Sequence, residues 1–152
     1  FTRRAGSLLS KLAAYPWEAE QQAVQRLVAT VRTALSIRAA QALGAEGGPG
    51  LDALAAQNPL SWMVRAPGNY QGEYYRPPVE LLKPGYWHFD KSDKTVNYVP
   101  SHDTFSFGTS KLLKFKVKLL REPAPVRSDD GTEATPRLVF DQVKRSSADN
   151  QN

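Results

Sequence analysis

The side chains best suited to chemistry are clustered late in the chain: His88, Asp90, Asp93, His102 and Asp103. Imidazole nitrogens and carboxylate oxygens together are the donors of a transition-metal site, and Asp90 with Asp93 and a loop carbonyl would suit calcium. The spacing matches no standard metal motif. His88 alternates with Trp87 and Phe89, which predicts that it points to the solvent face of a strand. Asp93 lies in a turn sequence, where aspartate is favoured because it bonds its own backbone. The preferred reading is structural, with no metal and no cofactor. His88 and His102 are the only histidines and there is no cysteine, which excludes disulfides, thiol catalysis and Cys-ligated zinc or iron–sulfur centres. The chain lacks the G-x-G-x-x-G, Walker, G-x-S-x-G and H-E-x-x-H patterns. It reads as a non-enzyme.

The other chemistry on offer is charge. Of 152 residues, 20 are basic and 15 acidic, a net charge of +5, but the excess is local. Residues 1–43 carry six basic and two acidic groups, and residues 111–121 carry five basic and none acidic. In the latter, Lys114, Lys116 and Lys118 alternate with Phe115, Val117 and Leu119. The lysines are candidate contacts for DNA phosphates or anionic headgroups, with His88, Tyr86 or Tyr98 nearby. The competing reading is an edge strand protected from aggregation by its lysines. Arg26, Arg32 and Arg38 recur every six residues, share no helical face and read as solvated.

These residues need elements to hold them. With 41% hydrophobic residues the chain can build a core, and no apolar run approaches the roughly 18–20 residues that span a bilayer. Residues 7–43 read as helix. Ala23, Val24, Leu27, Val28, Val31, Leu35, Ala39, Ala42 and Leu43 form one stripe at the helical period. Pro16 implies a kink or a fresh start, with Glu18 and Glu20 favourable in the first turn, and Gly44 is the expected C-cap. Residues 44–85 read as an irregular connector, opening with a flexible glycine-rich turn and containing a short helix at 51–57. In this connector Asn58 can cap, Pro59 fixes φ, Trp62 is an anchor, and Gly72 and Gly85 permit backbone conformations that other residues resist. Residues 86–143 read as an antiparallel sheet of about four strands with one wet face: 86–90, a turn at 91–94, 95–99, 111–120 and 137–143. Residues 144–152 read as a flexible tail. The predicted class is α+β, one domain over 1–152, with a long N-terminal helix laid on an antiparallel meander.

Several short motifs resemble the soluble part of type IV pilins and of type II secretion pseudopilins. They are the Ala-rich helix with Tyr15, Glu18, Glu20, Leu27, Arg32 and Leu35; Asn58-Pro59-Leu60-Ser61-Trp62; Pro67 with Asn69, Tyr70, Gly72 and Glu73; Pro84-Gly85-Tyr86-Trp87-His88-Phe89-Asp90; and Thr95 to Tyr98. The resemblance covers roughly residues 10–120 and marks Asn58, Pro59, Trp62, Asn69, Tyr70, Gly72, Pro84, Gly85, Trp87, Phe89 and Asp90 as a structural signature. It implies a non-catalytic subunit, pilin or pseudopilin, that assembles with other such subunits through its N-terminal helix. It also implies anchoring in the inner membrane of a Gram-negative bacterium, with a periplasmic domain, or an extracellular filament. The family's mature chains open Phe-Thr, then an apolar run with an early Glu; this chain opens Phe1-Thr2 but continues Arg3-Arg4-Ala5. The expectation is a chain trimmed of its membrane half. The resemblance places contacts with neighbours in the 100–110 loop and the 122–136 turn, and leaves Leu138, Val139 and Phe140 to hold the C-terminal region by packing. It leads to two further expectations: no buried charged pocket, and, as the alternative function, a DNA- or ligand-binding module of the same fold using Lys114, Lys116 and Lys118.

Overall fold

A computed structural model describes residues 16–101, 112–121 and 136–143. Helix α1 runs Pro16–Glu46. Its stripe is Val24, Val28, Val31 and Leu35, all buried, spaced four, three and four residues apart so that they stack on one face. Leu43, expected in the same stripe, is 41% exposed, and Ala42, seven residues beyond Leu35, packs against the core instead. The helix also passes through Gly44, the expected cap. It ends at Gly47, whose φ of +69° is open to glycine at little steric cost and whose N–H closes on Leu43 O at 3.1 Å. The glycine-rich segment is therefore a tight corner rather than a flexible turn. Helix α2, Gly48–Ala55, starts at once with a proline in its first turn. Gly50 lets it approach α1 closely: a Cβ there would stand 3.0 Å from Ala42 O.

The sheet has five strands: β1 (Tyr70–Tyr74), β2 (Trp87–Asp90), β3 (Thr95–Tyr98), β4 (Leu113–Arg121) and β5 (Pro136–Gln142), in that spatial order. β2 to β5 form the expected antiparallel meander. β1 corrects the sequence reading, for it lies inside the supposed irregular connector and pairs in parallel with β2. A parallel neighbour needs a crossover of about a dozen residues, and residues 75–86 supply it. The Gln71 side chain holds that crossover, donating to Leu81 O and accepting from Lys83 N–H at 3.2 Å. The strand was hidden because Tyr-Gln-Gly-Glu-Tyr has no apolar alternation, and the register shifts between Tyr70 and Glu73, where Gly72 adopts φ +118°.

Trp87, Phe89, Val96, Tyr98, Phe115, Val117 and Phe140 share one cluster with the valine stripe of α1. Leu138 packs against it, as expected for the last strand, whereas Val139 alternates to the other face. Trp87 lies 4.9 Å from Tyr98 and 5.9 Å from Phe115, and Phe115 stacks on Phe140 at 5.7 Å, centroid to centroid. Two expectations about strand faces fail. β2 and β3 are buried on both faces, so the sheet is not uniformly wet on its second side. β4 lies between β3 and β5, so its lysines do not guard an edge. Residues 7–15 of the predicted helix, the tail 144–152 and nearly all of the 100–110 and 122–136 segments lie outside the described residues.

The seam can be tested by contrast along one helix. Leu35 is 3% exposed and Leu43 41%. Leu35→Ala is expected to cost about 2–5 kcal/mol, and Leu43→Ala to stay within about 0.5 kcal/mol; urea denaturation of the two variants measures both. Equal losses would mean that the seam is placed wrongly.

Candidate functional site

The signature residues prove to be a framework. Asn58 caps the 3-10 turn Pro59–Trp62 by accepting from Leu60 N–H at 3.0 Å. Its Nδ2 donates to Tyr70 Oη at 2.9 Å and to Glu73 Oε1 at 3.0 Å, which ties the connector to β1. Asn69 links β1 to β2: Nδ2 donates to Gly85 O at 2.9 Å, and its carbonyl accepts from Trp87 N–H at 2.8 Å. Gly85, at φ +80°, turns the exposed Pro84 corner into the β2–β3 hairpin, donating to Val99 O. Pro59 is fully buried; Trp62, Trp87 and Phe89 are buried too. Trp62 Nε1 donates to Gln57 Oε1 at 2.8 Å.

Asp90 organises the hairpin turn. One oxygen, Oδ1, accepts from Ser92 N–H (2.9 Å), Ser92 Oγ (2.7 Å) and Arg76 N–H (3.1 Å). Burial pushes its carboxyl up, but these donors and the charge of Lys114 outweigh burial and hold it below the ordinary range. Asp93 accepts from Thr95 Oγ1 at 2.5 Å and pairs with Lys114 at 3.4 Å. Each carboxylate is thus committed to the turn. Among the described residues no three His, Asp or Glu side chains could hold one metal ion; His102 and Asp103 lie outside them.

His88 is where the prediction fails most clearly. It is 1% exposed, on the second face of β2, opposite Asn97 on β3. The Tyr74 ring on β1 stands edge-on at 6.3 Å. His88 Nδ1 and Asn97 Oδ1 are both buried without a partner, although Asn97 Nδ2 donates to Thr95 O and Thr95 Oγ1. Burial lowers the His88 pKa; Asp90 pulls it up, Lys114 down and Asp93 up, and the net shift is downward. Neutral imidazole is the favoured state.

The lysine stripe lies on this same second face. Lys114 is opposite Asn97 and Lys116 opposite both Thr95 and Asp141. Lys114 is ion-paired, and Lys118 is the exposed member. Tyr98 is not with them. It points to the helix side, where its hydroxyl donates to Glu20 Oε1 at 2.5 Å. The same oxygen accepts from Ser101 N–H at 2.6 Å, and Oε2 accepts from Ser101 Oγ at 3.0 Å. Burial, the bond to Glu20 and the charge of Glu20 all raise the Tyr98 pKa far above that of a free phenol. Glu20 is buried, whereas the sequence reading gives it only as a favourable charge in the first helical turn. A sequence signal did exist. Glu20 stands four residues before Val24, in phase with the stripe, so it had to enter the seam. Arg32 also departs from its solvated reading: Nε donates to Phe140 O at 3.0 Å, and the guanidinium meets Asp141 at 3.3 Å.

Compared with known protein families, curated proteins and solved structures, the chain matches none.

Two outcomes follow from this geometry. Tyr98→Phe removes a hydrogen bond to a buried carboxylate and is expected to cost about 1.5–3 kcal/mol in urea denaturation; a loss near zero would show that Glu20 does not need the Tyr98 hydroxyl. For His88 the folded pKa lies below the ordinary 6.5, so the unfolded chain binds the proton more readily. Stability is then fully present above about pH 6.5 and falls as pH drops through that value. His88→Gln should flatten this slope between about pH 7 and pH 5; an unchanged slope would exonerate His88.

Proposed function

We propose that the chain is a non-catalytic subunit of a type IV pilin-like or pseudopilin-like filament, assembling through its N-terminal helix. What supports this reading is how α1 is used. Only one stripe of a 31-residue helix is taken up by the sheet, and Glu18, Gln22, Gln25 and Ala29 remain exposed along its outer side. A long helix presented in this way suits side-by-side packing with copies of itself, while the sheet faces outward. The Asn58, Asn69 and Asp90 bonds support it further, since they fix a scaffold. The reading carries partners and location with it: pilin or pseudopilin subunits, and either an inner-membrane anchor with an exported domain or an extracellular filament. No helix among the described residues is long and apolar enough to cross a membrane, so anchoring belongs to the proposal alone. The rival reading, a DNA- or ligand-binding module on the lysine stripe, gains less. Lys114 is neutralised by Asp93 and Lys116 faces Asp141.

The chain contains no cysteine, so single cysteines report unambiguously. Gln22→Cys and Gln25→Cys are expected to cross-link subunits through α1 in the producing cells, and Lys94→Cys in the β2–β3 turn to remain monomeric. Uncross-linked helix variants, or equal cross-linking at residue 94, would reject assembly through the helix.

A further inference from the structure

Between the C-terminal half of α1 and the segment that follows Trp62 lies an open groove of about 740 Å³. Its apolar lining is Ala34, Ile37, Met63 and Val64 beside the Trp62 ring. Val64 is 109% exposed and Ile37 56%, so two β-branched apolar side chains lining one groove stand in solvent. Scattered apolar residues are ordinary on a surface, but a contiguous patch marks a contact site. The helical wall adds little polarity. Thr30 and Thr33 turn their hydroxyls back to Arg26 O (2.9 Å) and Ala29 O (3.1 Å).

The charges around this patch have one sign. Arg38 and Arg65 line the groove, and none of its described lining residues is acidic. Their placement can be read from the path of the chain. Trp62 lies beneath the Arg38 guanidinium, 5.8 Å away, whereas Pro67 and Asn69 border a cleft with Ala23, Arg26 and Leu27. Residues 62–69 therefore run antiparallel to α1. Arg38 stands on the helical wall and Arg65 on the connector wall, three residues beyond Trp62, so each wall of the groove carries one cation. The stretch of α1 from Thr30 to Gln41 that forms the wall is about 16 Å long, some three helical turns.

We infer that this groove docks an acidic amphipathic helix of a partner protein. Its apolar side chains would cover Ile37, Met63 and Val64, and carboxylates flanking that apolar face would meet Arg38 and Arg65. Two separated cations fit an occupant with two anionic ends better than a single-headed amphiphile. The walls are side chains rather than a free strand edge, which favours a helix in a groove over strand addition. The inference stands on the groove and does not rest on the filament reading.

The test uses the full chain and a fluorescein-labelled designed 15-residue helix, with leucines along one face and a glutamate flanking each end of that face. Fluorescence anisotropy should show saturable binding. The same peptide with lysines in place of the glutamates should bind about tenfold more weakly, as should the glutamate peptide in moderate salt. Val64→Ser and Ile37→Ser should each weaken binding by about tenfold, and Arg38→Glu with Arg65→Glu should abolish the preference for the acidic peptide. Because Val64 and Ile37 are exposed, both serine variants should melt with the unsubstituted chain, which separates lost docking from lost folding. Absent binding, equal binding of both peptides, or binding indifferent to Val64→Ser would overturn the proposal. So would capture of the chain by phosphatidylglycerol vesicles instead of the peptide. Self-association that Val64→Ser abolishes would assign the groove to a second copy and overturn it equally.

Discussion

Val24, Val28, Val31 and Leu35 meet Trp87, Tyr98, Phe115 and Phe140 along one seam, and both partners need it. A helix in water gains most of its stability from packing an apolar face, not from propensity, and α1 carries several β-branched residues that lower its propensity. The sheet is no more independent. β2 and β3 have four residues each, and strands so short persist only when a face is covered. Burial of the seam therefore orders both elements in one step. Everything else is hung from it: α2 folds back on α1, the connector crosses to β1, and β5 closes on β4.

The seam also explains the buried carboxylate. A charge removed from water is tolerable only when its oxygens are met by donors. Glu20 gains three from Tyr98 and Ser101, and so joins the first described turns of α1 to the end of β3. The other side of the sheet solves the same problem less completely. Asp90 is engaged through Oδ1, but His88 and Asn97 face each other across β2 and β3 with unpartnered atoms. Buried polar groups left in this state carry a desolvation cost, and a neutral imidazole keeps that cost smallest.

Much of this was legible in the residues. The period of Val24, Val28, Val31 and Leu35 gave the helix and its face, and the alternation of Lys114 to Val117 gave β4. Asn58 as a cap and the positive φ of Gly72 and Gly85 followed from residue type alone. The failures have common causes. His88 was assigned to solvent because alternation sorts residues into two faces but does not say whether both are covered. β1 was missed because Gln71, Gly72 and Glu73 are poor strand formers, and only tertiary pairing with β2 makes them a strand. Tyr98 and Glu20 are 78 residues apart, a distance no local pattern spans, although the helical phase of Glu20 pointed inward. Edge protection by the lysines fails because alternation along 111–120 does not say on which side of that strand the 137–143 strand pairs.

Among the described strands that last one is itself an edge, and its outer side is not blank. Arg32 reaches from α1 to hold the Phe140 carbonyl and Asp141 together. A strand approaching β5 from outside would have to evict a guanidinium from a backbone acceptor before it could begin to pair. The contact thereby blunts one border of the described sheet against growth by backbone hydrogen bonding. Assembly through side chains on the helix or across its grooves, or through the glycine-kinked β1 on the other described border, would leave that guanidinium in place.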